Sequence, residues 1–233
     1  MYDTPPRSVQ RDQKYIAIGF PLGMMAGPLD KDPLNPSERL YWVRCGDKFH
    51  GIKLIAMYTW LRASVPTDGQ EISAYLQEKG LLETFDELVP YLNELQGEKL
   101  LISFNPDQLS EKILSLRVIA QGIGLGVNPE NSREYFIAHF DGQPVAGIDL
   151  ASYLLWTYFD GQRTLNQAIK DASAFMQLEE KKLMERLPSL LEVLLRTRSV
   201  YFDLIVRPSI PNPKATTTKI FPNYSFMGLE KDL

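Results

Sequence analysis

Apolar residues of the 233-residue chain fall into short runs separated by turn residues, and the same series of runs occurs twice. The runs that predict strands and hairpins lie at 15–20 and 40–51 in the first half and at 117–123 and 135–147 in the second. Gly46-Asp47 and Asp141-Gly142 interrupt the two hairpin patterns. Glycine accepts a positive φ at little cost, so both dipeptides favour tight hairpin turns.

An almost entirely apolar helix is predicted after each hairpin, at 52–62 and at 149–159. A helix that is apolar on every side is typical of a central, buried position. In the second half, Asp149 is the predicted N-cap. The same helix is predicted to stop at Asp160-Gly161, with Gly161 in the left-handed conformation of a C-cap.

Two more helices and a closing strand are predicted in each half. Thr164 with Gln167, and Thr84 with Glu87, have the spacing of capping boxes, which marks helix starts. The third helix of the second half is predicted over roughly 178–197 from its leucine pattern. The closing strands are predicted at 99–104 and 199–206.

Residues that match at nearly constant offsets indicate an internal duplication. At an offset of 96 the matches include Gly46 with Gly142, Gly51 with Gly147, and Trp60 with Trp156. Gly19-x-x-Leu22-Gly23 matches Gly122-x-x-Leu125-Gly126 at an offset of 103. The predicted fold is therefore α+β, with two tandem winged-helix-like modules, each a β-hairpin with three helices and a strand. The predicted divisions are a flexible N-terminus (1–13), module 1 (14–104), a connector (105–115), module 2 (116–206) and a C-terminal tail (207–233).

Composition narrows the classes of function. The formal net charge of −4 argues against a strongly basic nucleic-acid surface. Cys45 is the only cysteine, and His50 and His139 are the only histidines, so the sequence predicts no metal site and no cofactor. The N-terminus lacks the apolar core of a signal peptide, and no apolar run is long enough to span a membrane. A cytoplasmic location is the expectation.

The stretch FDGQPVAGIDLASYLLWTYFDGQRTLNQAIKDASA resembles the PqqD-like peptide-recognition domains. Asp160, Gly161 and Thr164 match the DG-x-x-T turn of that family, and the resemblance extends over 133–206. It implies a domain that captures an extended peptide as an added strand at the hairpin edge, packed on the third helix, and that is not itself an enzyme. The candidate peptide-binding residues are Phe136, Ala138, Val145, Leu187, Leu190, Leu191 and Leu194.

The sequence is also compatible with two other functions. A DNA-binding regulator of winged-helix type would use the basic residues around the third helix, namely Lys181, Lys182, Arg186, Arg196 and Arg198. Glutamates are interleaved with these residues, which is more typical of a solvated helix face. A protein-interaction scaffold is the other alternative. The segment KIFPNYSF in the C-terminal tail could also join copies of the chain into a homo-oligomer.

Overall fold

The computed structural model describes residues 11–25, 40–104 and 111–205. Within these ranges the chain has a mixed α+β fold with seven helices and four antiparallel sheets of three strands each. Several predicted features lie outside the described residues, namely the N-terminus up to residue 10, the beginning of the connector (105–110), the last position of module 2 (206) and the C-terminal tail (207–233).

The first half contains two small sheets and three helices. Its elements are β1 (Lys14–Ala17), β2 (Phe20–Met25), β3 (Leu40–Cys45), β4 (Lys48–Ile52), α1 (Leu54–Arg62), β5 (Thr67–Asp68), α2 (Gly69–Glu78), α3 (Phe85–Gly97) and β6 (Leu101–Ser103). The strand orders are β2-β3-β4 and β5-β1-β6. Gly46, with φ 63°, stands in the predicted hairpin turn between β3 and β4.

The second half repeats this order of elements after one additional short helix. Its elements are α4 (Glu111–Leu114), β7 (Arg117–Ala120), β8 (Ile123–Asn128), β9 (Asn131–Ala138), β10 (Pro144–Ile148), α5 (Leu150–Thr157), β11 (Asp160–Thr164), α6 (Leu165–Met176), α7 (Glu180–Arg196) and β12 (Val200–Asp203). The strand orders β8-β9-β10 and β11-β7-β12 correspond to those of the first half.

The prediction of one continuous strand at 15–20, and of another at 117–123, is wrong. Each run is divided between two sheets, because the chain turns at Gly19 (φ 101°) and at Gly122 (φ 110°). The second part of each run begins β2 or β8, and both strands were missed by the sequence analysis. Each predicted two-stranded hairpin is therefore a three-stranded sheet in which the first hairpin strand is central.

The helix starts that the sequence predicts in the second half are confirmed. The side chain of Asp149 accepts a hydrogen bond from the backbone N–H of Ser152 at 3.1 Å. Thr164 and Gln167 form a complete capping box, in which each side chain accepts a hydrogen bond from the backbone N–H of the other residue. These bonds satisfy N–H groups that have no partner within the helix.

The predicted end of the apolar helix in the second half needs correction. Gly161 has the expected positive φ of 74°, but it lies in β11 and is not a C-cap. Helix α5 ends at Thr157 with Tyr158 as its C-cap, and β11 turns away to pair with β7. Pro90 and Pro188 lie inside α3 and α7.

Removing the Thr164 cap should measurably destabilise the chain. Thr164→Ala deletes the oxygen that accepts the Gln167 N–H bond, and the free energy of unfolding is expected to fall by about 1 kcal/mol. The predicted capping box of Thr84 and Glu87 is wrong, because the Thr84 side chain caps no backbone N–H and donates to the Glu87 carboxylate instead. Thr84→Ala is therefore the matched control. Urea unfolding of both variants measures the difference, and equal losses would contradict this role for the capping box.

The two halves share one hydrophobic core, and the turn between β1 and β2 of the first half meets the closing strand β12 of the second. Ile18 forms a parallel bridge with Phe202, and the N–H of Gly19 donates to the carbonyl of Phe202 at 2.8 Å. The indole N–H of Trp60 donates to the carbonyl of Ile18 at 3.1 Å, and that of Trp156 donates to the carbonyl of Ser199 at 3.2 Å. Each matched tryptophan thus donates to a backbone carbonyl of its own half, but the two acceptors, Ile18 and Ser199, are not corresponding positions.

Candidate functional site

The sheet β8-β9-β10 carries the surface on which the sequence predicts peptide binding. Strand β9 is central and pairs on both sides, so the predicted strand at 135–140 offers no free edge. Phe136 is half-buried and Ala138 is buried, and both lie on this central strand. Within the described ranges β10 pairs only with β9, so its outer side is an edge. Val145, on β10, is half-buried.

The register of β10 identifies a residue whose backbone faces that edge. The N–H of His139 donates to the carbonyl of Gln143 at 3.1 Å, and bonded and non-bonded pairs alternate from there along the antiparallel ladder. A bulge lies between Pro144 and Ala146, and Gly147 is opposite Phe136. The bulge adds one residue to β10, so the alternation of bonded and non-bonded pairs is counted along β9. On that count Gly147 and Phe136 form a non-bonded pair. The N–H and C=O of Gly147 therefore point to the free edge.

Helix α7 packs beside β10, and a salt bridge joins them at one end. Arg186 Nη1 lies 3.1 Å from Asp149 Oδ1, and Asp149 follows β10 directly. The four candidate leucines Leu187, Leu190, Leu191 and Leu194 are 0–5% exposed. They pack into the core from α7 and do not line an open surface, whereas Val193 on the same helix is 39% exposed.

The candidate basic residues do not form an unbroken positive stripe. Arg186 pairs with Asp149, and Arg196 pairs with Glu192 at 3.0 Å one helical turn away. Lys181, Lys182 and Arg198 are exposed. A nucleic-acid phosphate would have to compete with a carboxylate for two of the five cations, which weakens the case for a DNA-binding helix.

A buried carboxylate at the junction of the two halves was missed by the sequence analysis. Asp203 is 0% exposed and accepts a hydrogen bond from the Gly46 N–H at 2.6 Å. Its Oδ2 lies 2.9 Å from Arg117 Nη2 and 3.3 Å from Arg44 Nη2. A charge is retained in a protein interior only where it is paired and hydrogen-bonded. The available signal was the single acid inside the apolar strand SVYFDLIV.

Cys45 lies beside this junction and is 1% exposed. Burial, reinforced by the negative charge of Asp203, raises the pKa of its thiol to about 12. The thiol is therefore protonated at neutral pH, and a protonated, buried thiol is a poor nucleophile.

In the part of the chain that the structure describes, no group of three or more His, Cys, Asp or Glu side chains is placed to bind a metal ion. Within the same ranges no helix has both the length and the apolar character that crossing a bilayer requires.

No protein-family model and no curated protein matches the chain. Among solved structures, the chain is similar to PKMT2 from Rickettsia typhi in complex with AdoHcy, at 14% identity and a TM-score of 0.29. The match covers 81% of this chain and 42% of that chain, so the chain spans less than half of the protein it matches. The prediction that the chain is not an enzyme is contradicted by this match to an AdoHcy-bound methyltransferase and is withdrawn. At this TM-score the match assigns neither a fold nor a reaction.

Proposed function

We propose that the chain recognises an extended segment of a peptide or partner protein, which adds as a strand to the free edge of β10 beside α7. The site lies in the second of two tandem winged-helix-like modules that arose by duplication. The repeated element order and the matching sheet orders support the modules. The resemblance of 133–206 to PqqD-like domains supports the kind of ligand.

The free edge of β10 carries this proposal. An edge strand presents unpaired N–H and C=O groups to which another chain can add, and proteins commonly protect such edges with charged side chains. Strand β10 (PVAGI) has no charged residue, and Gly147 directs its backbone groups outward. Main-chain bonds to this edge would provide affinity, as in other examples of strand addition.

The surroundings of the edge indicate which peptides would be selected. Val145 on β10 offers an apolar contact, and alternate side chains of an added strand point towards the same face. The Arg186–Asp149 pair lies at the end of β10, where each partner is about half exposed. The preferred peptide therefore has apolar residues at alternate positions and a charged residue at one end.

Replacing Gly147 with proline should weaken peptide binding without unfolding the chain. Gly147→Pro removes the outward N–H, and peptides selected on the wild-type chain from a phage-displayed random library should bind about tenfold more weakly or worse. Proline is tolerated at sheet edges, where no ladder bond within the sheet is lost. Fluorescence polarisation with the labelled peptides measures the change.

Gly147→Ala is the matched control, because it adds a Cβ and keeps the N–H. That Cβ would lie 3.3 Å from Glu134 Oε2 and Phe136 Cε1, which requires only small shifts. Its affinity for the peptides should stay within about threefold of wild type. Equal affinity of the proline and alanine variants would contradict strand addition at β10. If a DNA duplex binds instead, and Lys181→Glu with Arg198→Glu abolishes that binding, the site is a nucleic-acid interface.

A further inference from the structure

We propose that the peptide residue opposite Gly147 is basic, and that Glu134 pairs with its charge. Glu134 lies on β9, two residues before Phe136, which is the residue that Gly147 faces across the sheet. The pairing presupposes strand addition at β10, so it rests on the proposed function and extends it. The ligands that it specifies are peptides with a lysine or arginine at one fixed position of the added strand.

The missing side chain of Gly147 leaves room for one side chain of the peptide. A Cβ added at Gly147 would lie 3.3 Å from Glu134 Oε2 and 3.3 Å from Phe136 Cε1, so the carboxylate and the ring border this position together. Directly opposed residues of paired strands have Cβ atoms about 5 Å apart, which places the Cβ of the peptide residue within about 8 Å of Glu134 Oε2. The long side chains of lysine and arginine span that distance.

The charge of Glu134 has no partner of opposite sign in the part of the chain that the structure describes. Its Oε2 accepts a hydrogen bond from Asn128 Nδ2 at 3.0 Å, which holds the carboxylate beside Gly147 without neutralising it. No lysine, arginine or histidine of the described ranges forms a salt bridge with it. Asp149, at the end of β10, already pairs with Arg186. The unpaired charge beside the edge is therefore negative, and a basic side chain is its complement.

The ring of Phe136 favours the same class of side chain. The methylene stem of a lysine or arginine can pack on an aromatic ring while its charged end reaches Glu134. An acidic side chain would meet the like charge of Glu134. A purely apolar side chain would cover the carboxylate and leave it without a partner, which costs free energy. Both alternatives are therefore disfavoured at this position.

The first half has the same opening without the acid. Gly51 lies opposite Trp42 on β3, which is the arrangement of Gly147 in the second half. A Cβ added at Gly51 would meet Leu40 Cδ1 at 2.8 Å and Trp42 Cη2 at 3.5 Å, so Leu40 stands where the second half has Glu134. The sheet thus forms with an apolar residue at this position, and folding alone does not explain the acid.

Neutralising Glu134 should weaken binding of peptides that carry the basic residue. Peptides selected from a phage-displayed random library on the wild-type chain should share a lysine or arginine at one position. Glu134→Gln keeps an oxygen for the Asn128 bond but has no charge, and its affinity for these peptides should fall about fivefold or more. Glu130→Gln is the matched control, because Glu130 is exposed in the turn between β8 and β9. Its affinity, measured by fluorescence polarisation, should stay within about twofold of wild type.

A charge swap distinguishes the preference for a basic residue from strand addition itself. Glu134→Lys should lose the selected peptides and should bind derivatives in which glutamate replaces the shared basic residue. If Gly147→Pro weakens binding while Glu134→Gln and Glu134→Lys do not, strand addition at β10 is supported and the basic preference is overturned. Selected peptides that share no basic residue would also overturn it. Peptide binding that Gly147→Pro leaves intact would contradict strand addition, and the pairing with Glu134 would fail with it.

Discussion

Replacing Asp203 with alanine is expected to lower the free energy of unfolding by about 3 kcal/mol. The carboxylate is completely buried and bonds to Arg44 and Arg117 as well as to the Gly46 N–H. Alanine leaves two guanidinium groups and one backbone donor without this partner. Because these groups come from both halves, the loss affects their junction. Urea unfolding followed by tryptophan fluorescence measures the effect.

Asp171→Ala is the control for this experiment. Asp171 bonds to Arg163 at 2.6 Å, but both side chains are substantially exposed, so its removal should cost less than about 1 kcal/mol. If the two variants lose similar stability, Asp203 does not act as a buried link between the halves.

Replacing Gly122 with alanine is expected to cost about 2–4 kcal/mol. Its φ is 110°, and an added Cβ would overlap the carbonyl oxygen of Ala138, which cannot move without disturbing β9. Gly19 has the same environment in the first half, where an added Cβ would meet the Arg44 carbonyl at 2.6 Å. Thermal unfolding of Gly122→Ala measures the loss.

Gly126→Ala separates backbone strain from the steric clash. Gly126 also has a positive φ, 83°, but no atom lies within 4 Å of its added Cβ. Its replacement should therefore cost only about 1 kcal/mol. If Gly126→Ala loses as much stability as Gly122→Ala, the positive φ explains both losses. The clash with the carbonyl of Ala138 on β9 would then not be the reason for glycine at position 122.

Local signals in the sequence predicted local structure well. The caps at Asp149 and Thr164 and the turn at Gly46-Asp47 depend on residues a few positions apart, and all three are present. The beginnings of β2 and β8 could not be predicted from such short-range signals. Each follows a positive-φ glycine within one apolar run, and only pairing with a later strand distinguishes it from the strand before.

The candidate site shows the same division. The hairpin and the third helix could be predicted from their patterns, but which strand is central depends on the pairing of β8 with β9. That pairing leaves β10 as the one strand of the predicted hairpin that has a free edge within the described residues. The contacts of Asp203 with Gly46 and Arg44 join positions about 160 residues apart, and no periodicity in the sequence reports such contacts.

Amide hydrogen exchange at Gly147 tests peptide recognition at β10 most directly. A peptide selected on the wild-type chain should slow exchange of the Gly147 amide, since its N–H points to the free edge until a strand bonds to it. Exchange at Gly51, the matched residue of β4, should not change. Protection at Gly147 is the result that strand addition predicts. Peptide binding with no protection at Gly147, or with protection only along α7, would contradict it.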